Sequence, residues 1–405
     1  GYGVFGLGRN HPAIRQALAD FLDLDYPSLV QMEAPLLSGL LAEALKARVP
    51  RALDTVYFTN SGTEGIETAI KFARCATGRS RLLFCEHAFH GLTNGSLSLN
   101  GDTAFRDGFE PLLDGTAAVP FGNLDALEEA LAAGDTAAFF VEPIQGKGVN
   151  IPPDGYLRAA AALCAHHGTL FVADEVQTGI GRTGRFLAIE HEPDVTPDIL
   201  VLSKALSGGY VPVGAVLTRR EIYDRVFSSL ERSVVHSSTF GQNGLAMVAG
   251  LATLTALDDD NAPAQARETG AWLLDALQAL VPEFEFLHAV RGRGMMLGIE
   301  LGEPQSRSLR AAWSMVHRMD ASLFPQAVIM PLLEEHGMIT QVAGHRMDVI
   351  KLLPPLTLSR EDAAAFVTAF TAVMRGLETF PGPTWDVLTR IGRNVLTSRA
   401  GSGVA

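Results

Sequence analysis

Short, unbroken apolar runs alternate along this chain with stretches whose apolar residues recur at helical spacing, and Gly, Pro, Asn and Asp mark the joints. The runs Thr55 to Thr59, Arg81 to Cys85, Ala137 to Glu142, Thr169 to Asp174, Ile199 to Ser203 and Gly214 to Thr218 predict strands. They are apolar throughout rather than alternating, as expected of a sheet covered on both faces. Gly65 to Ala76, Leu124 to Ala133, Gly155 to Gly168 and Gly244 to Leu257 predict helices, and Glu64, Glu67 and Lys71 fall three and four apart on one helix face. Strand and helix in alternation predict an α/β fold.

After Asp258 the texture changes to a long helix through Leu280, a strand pair near Phe284 to His288 and Met295 to Leu301, and helices to the end. This predicts a large domain over residues 25–257 and a smaller one combining 1–24 with 258–405. Residues 303–348 are rich in Met and long side chains without clean periodicity and read as an insertion.

A chain of 405 residues has room for both domains. Its 32 Lys+Arg against 45 Asp+Glu give a net charge of −13, with no basic run. That argues against nucleic acid or an anionic membrane as partner, since either needs clustered cations. Cys75, Cys85 and Cys164 form no C-x-x-C pair, which favours a reducing compartment and a cytoplasmic location. The longest uncharged stretch, Val234 to Leu257, holds six polar residues before Gly244, leaving too little to span a bilayer. Without a Met at its start the chain is expected to lack part of its N-terminal segment.

The chemistry gathers at strand ends. One apolar run finishes in Asp174-Glu175-Val176-Gln177, and another in Lys204 followed by Gly208-Gly209. Open α/β sheets bind ligands beyond such carboxyl ends. A lysine amine there can form a Schiff base with the aldehyde of pyridoxal 5'-phosphate, while a carboxylate pairs with its ring nitrogen. Each residue also has a plain structural reading, Lys204 as a side chain leaving a strand and Asp174 as a turn cap. Asn60-Ser61-Gly62-Thr63-Glu64-Gly65, between strand and helix, presents amides at a helix N-terminus suited to phosphate, or else a capping box of Thr63 and Glu67.

Together these motifs resemble class III (ω-amino acid:oxo-acid) aminotransferases of the fold-type I pyridoxal phosphate superfamily. The resemblance runs from Gly1-Tyr2-Gly3-Val4-Phe5-Gly6 through Asn60-Ser61-Gly62-Thr63-Glu64, Phe89-His90-Gly91, Val141-Glu142-Pro143-Ile144-Gln145-Gly146, Asp174-Glu175-Val176-Gln177-Thr178-Gly179 and Leu202-Ser203-Lys204 to Ser238-Thr239-Phe240-Gly241. It implies a large domain with a mostly parallel seven-stranded sheet flanked by helices, plus a smaller α+β domain.

It also implies roles. Lys204 would carry the cofactor and move the substrate proton, Asp174 would meet the pyridinium nitrogen, Phe89 would stack on the ring and Gln177 would lie on its phenolic-oxygen side. Gly62 and Thr63 would bind phosphate, joined by Thr239 reaching the partner subunit's site in a homodimer. Ser61, His90 and Val176 complete the expected cofactor set, with His90 as a packed or hydrogen-bonded neighbour of Phe89. Relatives acting on α-amino acids carry an arginine before a Pro-Pro-Leu stretch, where this chain has Lys351-Leu352-Leu353-Pro354-Pro355-Leu356. Lysine cannot make the forked carboxylate contact. In ornithine-type relatives the residue matching Glu142 pairs with that arginine, so the resemblance implies Glu142 and Lys351 as the substrate residues, unless Lys351 is a strand-edge solubilising residue.

The features closest to putrescine and ornithine members point to a terminal amine, diamine, ω-amino acid or bulkier aldehyde exchanging with a 2-oxo acid. Alternatives are a same-fold aminomutase or racemase and a non-catalytic homologue. Two G-x-G-x-x-G strings, Gly1 to Gly6 and Gly179 to Gly184, lack the strand–helix context of a dinucleotide site, and Cys85, His87 and His90 lack a second cluster to complete a metal site.

Overall fold

The computed structural model describes residues 1–28, 35–320, 323–344, 346, 348–379, 382 and 385. The chain divides into two compact units. The first comprises Gly1–Gly146, Asn150–Ala266 and Pro354–Thr357, and the second Lys147–Val149, Arg267–Leu353 and Leu358–Ala405.

The first unit is built on a seven-stranded sheet of β1 (Thr55–Thr59), β2 (Arg81–Cys85), β3 (Thr116–Val119), β4 (Thr136–Val141), β5 (Leu170–Asp174), β6 (Ile199–Leu202) and β7 (Gly214–Thr218). The order is β1-β7-β6-β5-β4-β2-β3. Only β7 runs against its neighbours, pairing antiparallel with β1 and β6. Strands β4 to β7 are buried along their whole length, which is why their sequences are apolar without alternation. The six strands expected from the sequence are present within one or two residues of their predicted limits. The seventh, β3, is a half-exposed four-residue edge strand whose Thr-Ala-Ala-Val carries little pattern.

Among the helices of this unit are α1 (Pro12–Asp23), α2 (Gly62–Thr77), α3 (Tyr156–His166) and α4 (Gly244–Asp259). Ile66, Ile70 and Phe72 of α2 enter a core with Phe84, Phe140, Val172, Val201 and Val216 of the sheet. Each buried side chain of that size contributes about 1.5–3 kcal/mol. Helix α4 is apolar nearly all round and packs against α1, which keeps residues 1–24 with the larger unit. In this respect the units differ from the expected division, which grouped residues 1–24 with the smaller domain.

The second unit carries an antiparallel sheet of β8 (Leu287–Arg293), β9 (Met296–Leu301), β10 (Gln341–Ala343) and β11 (Val349–Leu352), in the order β10-β11-β9-β8. The sequence reading had only helices after Leu301, and β10 and β11 correct it. Both are short, with three and four residues, and neither stands out by pattern. Residues 303–348 form Arg307–Met319, Gln326–Glu334 and β10. Phe286 packs against Trp313, Phe324 and Trp385 in the core of this unit. Among the described residues no helix is long and apolar enough to cross a membrane.

Candidate active site

Strands β4, β5 and β6 end side by side, and the expected residues follow them. Asp174, the last residue of β5, is buried, with Oδ2 accepting from His90 Nδ1 at 2.7 Å and Oδ1 from the Val176 amide at 3.0 Å. His90 is thus bonded to Asp174 through its ring rather than serving only as a neighbour of Phe89. Its amide donates to Asn100 Oδ1 at 2.8 Å, and Asn100 Nδ2 returns to the Gly91 carbonyl at 2.8 Å. Glu142, just past β4, accepts from the Phe89 amide at 3.0 Å and the Gly146 amide at 2.8 Å. Three buried polar side chains therefore fix the segment Phe89-His90-Gly91. The Phe89 ring meets Phe105 edge-on at 5.3 Å.

Burial raises the Glu142 pKa, and Asp174 adds to the effect, although His90 and the two amides oppose it. Burial lowers the His90 pKa, but the hydrogen bond and charge of Asp174, with Glu142, outweigh it and leave the imidazole raised. Lys204 is lowered by burial against the pull of Asp174 and Glu142, a shift that favours the neutral, nucleophilic amine. Its backbone sits at φ 39°, in the left-handed region that side chains other than glycine rarely adopt, and such strain persists where surrounding structure enforces it. Glu175, fully buried beside Asp174 in sequence, accepts from the Ala188 and Ile189 amides and from Thr178 Oγ1, and burial pushes its pKa up to about 7.

The start of α2 forms the second part of the site. Ser61 is the N-cap, accepting from the Glu64 amide at 3.2 Å, and Glu64 Oε2 accepts from Asn60 N and Nδ2, both at 2.9 Å. This replaces the cap expected from Thr63 and Glu67, because Glu67 is engaged by Thr93 Oγ1 at 2.5 Å and the Ser96 amide at 3.0 Å. The Gly62 and Thr63 amides lie in the first turn, where no intrahelical carbonyl can reach them. A Cβ on Gly62 would stand 2.7 Å from Val176 Cγ1, so any larger residue would force a shift where the helix meets the residue after Asp174-Glu175. Thr63 Oγ1 lies 2.6 Å from Ser96 Oγ, and a Cβ on Gly91, at φ 129°, would come within 2.3 Å of that same Thr63 oxygen. The helix start, the Phe89-His90-Gly91 loop and the end of β5 are thereby brought together.

Gln177 Nε2 donates to the Tyr2 carbonyl at 3.1 Å, and a Cβ on Gly146 would meet its Oε1 at 2.6 Å. Thr239 lies on an exposed turn and lines a cavity of about 480 Å³ with Tyr57, Glu64, Glu67 and His236. Lys351 belongs to the second unit. It sits opposite Gly298 of β9 and Gln341 of β10 and is only 6% exposed. A buried position on an inner strand removes the strand-edge solubilising reading. Sequence reasoning did not single out Asn100, since one asparagine after Leu97-Ser98-Leu99 gives no signal of what its amide holds. Among the described residues no group of three His, Cys, Asp or Glu could hold a metal.

The sheet order with its single reversed strand, a smaller antiparallel unit and a lysine two residues past β6 define the fold-type I class of pyridoxal phosphate enzymes. The family model for class-III aminotransferases matches residues 1–374, and the chain belongs to that family, whose members depend on pyridoxal phosphate. The chain is 35% identical to the aminotransferase PigE of Serratia sp. (strain ATCC 39006) over 94% of its own length and 48% of that protein, so it spans about half the length of this curated relative. It also resembles the ornithine aminotransferase of Toxoplasma gondii ME49, with 30% identity and a TM-score of 0.81 over 92% of this chain and 85% of that one. An amine transaminase from an uncultivated Pseudomonas species, solved in its pyridoxal phosphate-bound form, shows 29% identity and a TM-score of 0.77 over 92% and 88% of the two chains.

Proposed function

We propose that this protein is a transaminase that moves an amino group between a terminal amine and a 2-oxo acid such as 2-oxoglutarate or pyruvate. The observation that carries the reading is the buried Asp174, hydrogen-bonded to His90 at a strand end, with Lys204 kept toward its neutral form after the adjoining strand. The donor set fits pyridoxal phosphate: an amine, a carboxylate for a ring nitrogen, and a glycine-lined helix start packed so closely that a Cβ at Gly62 would press on Val176.

When bound, the cofactor supplies an aldehyde that takes up the amino group and a ring that accepts the electron pair left on the substrate carbon. Lys204 would bind the aldehyde carbon and, once displaced by the incoming amine, carry the proton away from the substrate carbon on Nζ. Asp174 would hold the ring nitrogen, with its own second oxygen fixed by His90. Ser61, Gly62 and Thr63 would hold the phosphate. Phe89 and Val176 would enclose the ring, and Gln177 would lie beside its oxygen. Glu142 and Lys351 would meet the substrate. A homodimer in the cytoplasm, with Thr239 completing the phosphate site across the interface, is part of the same reading.

Titrating the cofactor-loaded protein with putrescine, ornithine, lysine, β-alanine, glutamate and alanine, followed by visible absorption, tests the substrate class. Bleaching by the terminal amines, with recovery on adding 2-oxo acid, is the expected result. Turnover of an amine without any separate acceptor would instead identify an aminomutase or racemase.

A further inference from the structure

The polar residues of α2 that face away from the first turn converge on one histidine. Lys71 Nζ donates to His236 Nδ1 at 3.0 Å and to the Val235 carbonyl at 2.9 Å, while His236 Nε2 lies 2.8 Å from Thr68 Oγ1. Thr68 directs its own hydrogen to the Glu64 carbonyl at 2.7 Å. An ammonium has only donors, so Nδ1 must accept, and with the Thr68 hydrogen committed its oxygen must accept from Nε2–H. One tautomer of neutral His236 satisfies every group. Tyr57 OH donates to the His236 carbonyl at 3.0 Å, and the two rings lie 5.2 Å apart. The titratable groups facing the imidazole are Lys71, Glu64 and Glu67 from α2 and Tyr57 from β1. Burial and then Lys71 lower its pKa, with Glu64 and Glu67 opposing.

Two residues on, Ser238 Oγ accepts from Asn60 Nδ2 at 2.8 Å. The turn then closes on Asn243, which caps α4 by accepting from the Ala246 amide at 2.9 Å. Thr239 is therefore suspended between a pinned histidine and a capped helix. We propose that His236, held by Lys71, Thr68 and Tyr57, is a positioning residue for Thr239 and through it for the phosphate of the cofactor. This rests on the reading above that Thr239 contacts phosphate.

The test compares dissociation constants of pyridoxal 5'-phosphate and of pyridoxal, which lacks the phosphate, by equilibrium dialysis on the full chain, with circular dichroism to confirm folding. His236→Phe keeps the ring and removes both nitrogens, and Lys71→Met removes one donor from an exposed side chain. Each is expected to weaken pyridoxal phosphate about tenfold or more, the loss of one hydrogen bond to a charged group, while pyridoxal stays within about twofold. Thr239→Ala should show the same selective loss. If Thr239→Ala loses affinity selectively while both other variants bind as tightly as the parent, the inference fails and the phosphate assignment stands. If Thr239→Ala is also unaffected, both fail. Equal weakening of the two ligands in His236→Phe and Lys71→Met would show general disruption and overturn the positioning role.

Discussion

Replacing Gly62 by alanine probes the junction on which the proposed phosphate site depends. The new Cβ would lie 2.7 Å from Val176 Cγ1 and 2.9 Å from Cγ2. Carbon atoms in good contact stand about 3.5–4.0 Å apart, so the helix start or the Val176 segment must yield by about 1 Å. Overpacking of that kind costs about 1–3 kcal/mol, and the better helix propensity of alanine returns at most about 1 kcal/mol. An overlap of about 1 Å falls in the upper part of that range, about 2–3 kcal/mol, so the net loss is about 1–2 kcal/mol, a fall of a few degrees in Tm. Because the Gly62 and Thr63 amides move with the helix start, the affinity for pyridoxal phosphate should fall about tenfold, the loss of one good hydrogen bond to an anion. Val176→Ala removes both offending methyl groups. In a double-mutant cycle the pair should therefore recover about 1 kcal/mol relative to the sum of the single changes, read by thermal unfolding and cofactor dialysis. Additive effects, or a Gly62→Ala protein as stable and as tight-binding as the parent, would refute the claim that this contact sets the helix start.

Lys204→Ala is expected to abolish transamination while leaving the circular dichroism spectrum and melting cooperativity intact, since its side chain forms no hydrogen bond with the described residues that the core depends on; residual turnover would exclude Lys204 as the proton carrier. The proton on Glu175 is retained to about pH 7 in the fold but lost near its ordinary value of 4.5 when unfolded. This group's stabilisation is therefore complete below that lower value and disappears as pH rises through 7, a change of about 3 kcal/mol. The stability gap between the parent and Glu175→Gln should accordingly narrow from pH 5 to pH 8 in thermal unfolding, and a widening gap would contradict the assignment. Lys351→Arg should shift the KM for carboxylate-bearing substrates more than for simple amines, and unchanged kinetics for every donor would remove Lys351 from the substrate site.

The parts of this fold readable from sequence were those whose cause is local. Runs such as Ala137 to Val141 had to be strands covered on both faces because every residue is apolar, and Lys204 and Asp174 could be placed because they directly follow such runs. The start of α2 was read three residues late, since Gly62 and Thr63 are poor helix formers and enter the helix only because Ser61 caps it. Edge strand β3 was missed because half-exposed Thr116 to Val119 has no pattern to read. Other features depend on residues far apart in the chain. Asp174 meets His90 across 84 positions, and Tyr57 meets His236 across 179, so neither hydrogen bond is visible in periodicity or spacing. Burial of Lys351 likewise follows from β10 and β9 flanking β11, which no local rule at Lys351 announces.

The central claim is that Lys204 carries the cofactor, and chemical trapping tests it most directly. The protein is loaded with pyridoxal phosphate, the carbon–nitrogen bond is fixed with borohydride, and the modified peptide is mapped by mass spectrometry. The account predicts one modified residue, Lys204, with the label lost when an amine substrate is added before reduction. A label on another lysine, or none at all, would contradict it.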